Sequence, residues 1–206
     1  MERMTERDSS NLHGNAPDSC PVALLLVDMI NDLEFEDGEK LLAPALEAAR
    51  RTAALKRRAR DAGIPVIYAN DNFGRWRSDF RQVVEHVLHD GVRGQPLAEI
   101  LAPDADDYFV LKPKHSAFFA TTLDTLLSYL GARRLVIAGF ATDICVLFTA
   151  NDAYMRDFAL HVPADCVAAN SAAQTAEALD FMARVLKVDT TASDELDLAA
   201  LARGEE

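Results

Sequence analysis

Unbroken apolar runs alternate with amphipathic stretches along most of this chain. Val22 to Val27 carries no polar residue, the pattern of a strand buried on both faces of a sheet. Pro65 to Ala69, Tyr108 to Leu111, Leu135 to Ala138 and Ala159 to Val162 are shorter candidates of the same kind. Between them, Ala43 to Ala62 repeats Ala, Leu, Arg and Lys at helical spacing and stops at Gly63. Phe80 to Leu88, Thr122 to Leu130 (stopped by Gly131), Asp143 to Arg156 and Ala172 to Leu186 also read as helices. Lys187 to Thr190 predicts one more short strand. Strand and helix in alternation predict βαβ units, hence one α/β domain with a parallel sheet covered by helices on both faces.

The boundaries expected from this pattern are a flexible tail over 1–19, a domain over 20–191 and an acidic tail over 192–206. No internal repeat or low-complexity linker suggests a second domain. The 206 residues suffice for a substantial core. A formal charge of −12, from 21 basic and 33 acidic residues, argues against nucleic acid or an anionic membrane as partner. No run approaches the roughly 20 apolar residues of a membrane span, and Met1 to Ser19 lacks the apolar middle of a signal peptide. Three cysteines without paired spacing suit a reducing compartment, so a cytoplasmic protein is expected.

In a parallel sheet of this kind, chemistry collects beyond the C-terminal strand ends. The first strand ends in Asp28, the third in Lys112, and the fourth leads through Gly139-Phe-Ala-Thr-Asp-Ile to Cys145. Three strands thus deliver a carboxylate, an ammonium and a thiol to one edge. A thiol with a pKa of about 8.5 is mostly protonated at neutral pH. A lysine nearby favours the thiolate, and a carboxylate can take the proton and return it to a leaving group. Of the five histidines only His115 lies near this edge, and it reads as structural rather than catalytic. Neither Cys-x-x-Cys nor His-Glu-x-x-His spacing occurs.

The segments Leu25-Leu-Val-Asp28-Met-Ile-Asn-Asp32, Lys112-Pro-Lys-His-Ser-Ala-Phe118 and Ala138-Gly-Phe-Ala-Thr-Asp-Ile-Cys145-Val resemble those of the isochorismatase-like cysteine hydrolases, a group that includes nicotinamidases and carbamoyl amidohydrolases. The resemblance runs from about Val22 to Ala169. It implies a single-domain three-layer α/β/α fold with a six-stranded, mainly parallel sheet and a catalytic triad of Asp28, Lys112 and Cys145. Lys114 is the alternative lysine if Pro113 shifts the turn. The resemblance also implies a non-proline cis peptide at Phe140–Ala141, an oxyanion hole of the Ala141 and Cys145 backbone N–H groups, and a homo-oligomer.

The implied function is hydrolysis of a C–N bond in a small amide or carbamoyl compound through a thioester on Cys145. The alternatives are vinyl-ether hydrolysis of the isochorismatase type and a non-catalytic interaction module. Nicotinamidases of the group hold a metal through an Asp-x-His pair after the second strand. The equivalent here is Asp71-Asn-Phe73, so no metal and no other cofactor is expected. Asn31, Asn70, Asp71, Phe73, Trp76 and Phe118 are the candidate substrate-binding residues, with Phe119 as core instead. Asn31 has the alternative of an Asx turn. Arg75, Arg77 and Arg81 would suit an anionic substrate, although Arg-Trp-Arg at a helix start is more often a solvated or subunit-contact face.

Overall fold

The computed structural model describes residues 19–72, 74 and 79–205. The strand β1 (Val22–Val27) lies at the centre, every residue buried as its apolar run requires. It pairs in parallel with β2 (Val66–Asp71) on one side and β4 (Arg134–Phe140) on the other. Beyond them lie β3 (Tyr108–Lys112) and β5 (Ala159–His161), giving the order β3-β2-β1-β4-β5. A two-residue strand, β6 (Val167–Ala168), pairs with β4 at Gly139 and Phe140 and completes a six-stranded parallel sheet.

Successive side chains of a strand point to opposite faces, and the two cores follow that alternation. Val22, Leu24 and Leu26 pack with α1 (Gly38–Asp61), α2 (Phe80–His89) and α3 (Gln95–Ile100). Ala23, Leu25 and Val27 pack with α4 (Leu123–Leu130), α5 (Leu147–Tyr154) and α6 (Ala172–Leu186). This is the three-layer arrangement that the strand–helix alternation predicts.

Four local expectations change. The helix α1 begins at Gly38 rather than Ala43, with Pro44 inside it. Gly38 is needed there, because a Cβ would stand 2.1 Å from the Leu33 carbonyl oxygen. Residues 187–190 make one parallel bridge, His161 to Asp189, instead of a strand, since Asp189 turns the chain by accepting the Thr191 N–H at 2.9 Å. The helix expected from Asp143 begins instead with a π-helical turn, Thr142–Val146. Finally, the expected acidic tail is no tail over most of its length. Leu196, Leu198 and Leu201 are buried in the α1-side core, and α7 (Leu198–Arg203) is capped by Asp197. Arg58 ties this segment down by donating to the Ser193 and Leu196 carbonyls, each at 2.6 Å. The expected N-terminal tail falls, except for Ser19, outside the described residues.

Candidate active site

Asp28 follows the last residue of β1 with φ 51, in the left-handed region that Asp tolerates better than most residues. Its N–H still continues the sheet, donating to the Ala69 carbonyl at 2.9 Å. The reversal turns the carboxylate across the strand ends. There Oδ1 accepts the Asp71 N–H at 2.7 Å and Oδ2 lies 2.8 Å from Lys112 Nζ. Lys112 closes β3 two strands away, and its side chain is wholly buried. The same ammonium donates to the Lys114 carbonyl at 3.2 Å and to Cys145 Sγ at 3.5 Å, and lies 3.9 Å from Asp71 Oδ2.

Cys145 comes to this point through the end of β4. Gly139 has φ 148 and pairs with Val27; a Cβ there would sit 2.1 Å from the Val27 carbonyl oxygen. Only glycine lets the ends of β1 and β4 approach so closely. The Phe140–Ala141 peptide is cis, and the π-helical turn carrying Cys145 follows directly. Such turns recur at functional sites in helices. The Ala141 carbonyl accepts the Ile144 and Val146 N–H groups at 3.2 and 3.1 Å. Asp28, Lys112 and Cys145 therefore meet as expected, and Lys114 contributes its backbone carbonyl rather than its ammonium.

Burial and charge pull the groups of the cluster in different directions. Burial raises the Asp28 pKa above the ordinary carboxylate value, against the lowering effect of Lys112 and of hydrogen bonds from Cys145, Lys112 and Asp71. Burial lowers that of Lys112, but Asp28 and Cys145 more than offset this and the net shift is upward. The Cys145 thiol is pushed well up, first by burial and then by the Asp28 charge, with Lys112 acting the other way. Burial and the Asp28 charge thus favour the protonated thiol, with the Lys112 ammonium beside it. The thiolate-favouring effect of a nearby lysine is present but is outweighed at Cys145 by burial and by Asp28.

The remaining candidates divide. Asp71, about a third exposed, does face the cluster. Asn70 is fully buried and donates to the Ile30 carbonyl at 2.5 Å, so it pegs the loop after Asp28 instead of lining the site. Asn31 accepts the Leu33 N–H at 2.8 Å, the Asx turn named as its alternative. Phe73 and Trp76, with Arg75 and Arg77, lie outside the described residues. The two phenylalanines after the lysine motif exchange the places expected of them. Phe118 is core, packed on Phe158 and covered by the Arg156 guanidinium 4.7 Å from its ring centroid. Phe119 is 57% exposed. The turn explains the swap: the Ser116 Oγ accepts the Phe118 N–H, and Thr149 Oγ1 accepts that of Ala117, which points Phe118 inward.

Beside the thiol lies an open depression of about 220 Å³ lined by Lys114, His115, Ser116, Phe119, Phe148 and Asp152. His115 reaches over from it, with Nδ1 3.9 Å from Cys145 Sγ. Sequence reasoning passed over Phe148 and Asp152, since both sit on a helix whose facing direction no spacing argument specifies. Among the described residues, no group of three or more His, Cys, Asp or Glu side chains is placed to hold a metal ion, and no helix is long and apolar enough to cross a membrane.

A parallel sheet bearing this carboxylate, ammonium and thiol at its C-terminal edge is the arrangement of a hydrolase class, and the comparisons agree. The chain belongs to the isochorismatase family: the Isochorismatase domain model matches residues 22–193. It is 42% identical to the uncharacterized isochorismatase family protein YaaI of Bacillus subtilis over 84% of this chain and 95% of that protein. It is 35% identical to the maleamate amidohydrolase of Pseudomonas putida over 70% of this chain and 71% of the relative. Among solved structures, the N-carbamoylsarcosine amidase of Thermoplasma acidophilum superposes with a TM-score of 0.67 at 30% identity, covering 85% of this chain and 98% of that one. The protein is a hydrolase of this family.

Proposed function

We infer that this protein is a cysteine amidohydrolase that cleaves the C–N bond of a small amide or carbamoyl substrate. The observation that carries the reading is the placement of Lys112 Nζ, 2.8 Å from the Asp28 carboxylate and 3.5 Å from Cys145 Sγ. The relatives acting on maleamate and N-carbamoylsarcosine support an amide or carbamoyl group as the scissile unit.

In the proposed sequence Asp28 takes the Cys145 proton as sulfur attacks the carbonyl carbon, so no free thiolate need accumulate. Lys112 stabilises the negative charge that passes between the two. The carbonyl oxygen becomes an oxyanion against the Ala141 and Cys145 N–H groups. Collapse of the adduct expels the amine, which leaves with the proton held on Asp28, and a thioester remains on Cys145. Water then attacks the thioester with Asp28 as base; the acid departs and the thiol recovers its proton. Asp71 would face the departing nitrogen.

The test is a screen of small amides and carbamoyl compounds with mass spectrometry of the quenched enzyme. A substrate that turns over should leave an acyl mass on Cys145, and Cys145→Ala should abolish both turnover and adduct. Full activity in Cys145→Ala would sink the mechanism.

A further inference from the structure

The proposed chemistry needs Lys112 Nζ and Cys145 Sγ side by side, and the sheet alone does not bring them together. Lys112 closes β3 and Cys145 follows β4, strands three positions apart in the sheet order. At a spacing of about 4.8 Å per strand, β3 and β4 lie about 14 Å apart. Nζ and Sγ are nevertheless separated by only 3.5 Å. The lysine end of that reach is fixed, because the Asp28 carboxylate holds Nζ at 2.8 Å and the Lys114 carbonyl at 3.2 Å. The cysteine end depends on where the turn Thr142–Val146, and α5 continuing from it, are set down.

Four consecutive residues after Lys114 fix that place. His115 lays its ring against Phe148, centroids 5.5 Å apart. The Ser116 hydroxyl donates to the Asp152 carboxylate, and the Ala117 N–H donates to Thr149 Oγ1 at 3.0 Å. Phe118 lies under the Arg156 guanidinium. The partners stand at 148, 149, 152 and 156, the three- and four-residue steps that share one helix face. The lysine's loop is therefore laid along the helix that continues from the thiol's turn. Ser116, Ala117 and Thr149 are buried, so water does not compete for these bonds. Asp152 is itself steadied by Arg156, whose Nη1 donates to the Asp152 carbonyl at 2.8 Å and lies 3.4 Å from Oδ1.

We propose that Ser116, Thr149 and Asp152 are positioning residues, whose two hydrogen bonds clasp the lysine loop to α5 and hold Cys145 Sγ within reach of Lys112. The inference rests on the amidohydrolase reading above, in which that pair belongs to the reaction centre. The three act through the separation of Lys112 and Cys145. A displacement of about 1 Å at a reacting centre can cost about 10²-fold in rate, so a clasp of two bonds has a large lever.

The test is the pH dependence of Cys145 alkylation by iodoacetamide in the intact protein, read by peptide mass spectrometry. The thiol is faced by Asp28, Lys112 and His115, and burial and Asp28 hold its pKa well above the ordinary 9.0. A thiol released from the cluster escapes both effects and titrates nearer that ordinary value. In Thr149→Val and Ser116→Ala the profile should move down toward 9.0, raising the alkylation rate at about pH 8 by about tenfold or more. Cys20 and Cys166 are buried and should stay unlabelled, which reports an intact fold. If Thr149→Val exposes them, Asp152→Ala decides instead, since that side chain is partly exposed and its loss spares the core. Thr149→Ser and Asp152→Asn keep the accepting oxygens and should return most of the way to the wild-type profile. Unchanged profiles in Thr149→Val and Asp152→Ala overturn the clasp and leave the amidohydrolase reading standing. A Thr149→Ser shift as large as that of Thr149→Val also overturns it, because the methyl and not the hydroxyl would then matter. A wild-type Cys145 that already titrates as an ordinary thiol means that the cluster does not form, and both readings fall.

Discussion

At the scale of single residues, a buried carboxylate and a partly buried thiol stand beside one buried ammonium, and the proposed mechanism passes a proton between the first two. Asp28→Asn keeps the shape but removes the base; kcat should drop by roughly 10²–10⁴-fold. Lys112→Met strands a carboxylate that is buried and accepts its ammonium at 2.8 Å, so stability should fall by about 3 kcal/mol along with activity. Denaturant unfolding of that variant, beside its turnover, checks both. The pH profile follows from the directions of the shifts. Asp28 must be ionised to act and its pKa is raised, so the acidic limb of kcat/KM should lie above the ordinary carboxylate value of 3.8. The Cys145 thiol is also raised, so loss of its proton to solvent should matter only well above 9.0. A basic limb that tracks an ordinary thiol would contradict the shared-proton arrangement. The three site residues were legible in the chain because each ends or follows an apolar run. Phe118 and Phe119 were not, because two adjacent aromatic residues are distinguished only by how the turn at Ser116 is bonded.

At the scale of elements, two devices stand out, one at the site and one away from it. The first is the contact of Gly139 with Val27, which sets β4 against β1. Gly139→Ala brings a Cβ to 2.1 Å from a backbone oxygen at a φ of 148, and we expect a loss of about 3 kcal/mol or more in denaturant unfolding, with activity falling as well. The second lies on the far side of the sheet, where Lys56 of α1 is buried between Asp107 at 2.6 Å and Asp104 at 2.9 Å and touches the Tyr68 hydroxyl at 3.0 Å. Burial lowers the Lys56 pKa, but Tyr68 and the two carboxylates reverse this and hold it raised. Lys56→Met leaves Asp107 buried without that partner and should cost about 3 kcal/mol, while the active-site geometry is untouched. A thermal melt that falls with unchanged kcat would show the separation. Strands and long helices were readable from periodicity, but α3 and α7 were not. Each spans six residues, too few for a periodic signal to stand out, and they form because Leu97 and Leu201 find a core to enter.

For the whole molecule, residues 193–203 belong to the folded body. A chain ending at Ala192 exposes the core under Leu196, Leu198 and Leu201 and removes the Arg58 contacts, and its melting temperature should drop by several degrees. The expected homo-oligomer has a candidate face on and just after α5. Thr149, Ala150 and Ala153 of α5 are spent inside the fold, and the large apolar groups left outward are Phe148, Tyr154 and Met155. Sedimentation velocity should show an assembly larger than one chain, and Met155→Asp should shift it toward the monomer.

Sequence alone determined the order of strands and helices along the chain, the apolar faces and the candidate site residues. Those depend on local composition and on where a run of buried residues ends. What the tertiary structure decided is how groups far apart in the chain share one space. It put the thiol beside Asp28 and Lys112, drew Phe118 inward and Phe119 outward, and turned the Lys114 carbonyl to the Lys112 ammonium. Desolvation, packing and charge are properties of surroundings, and the surroundings of Cys145 exist only once β1, β3 and β4 lie side by side.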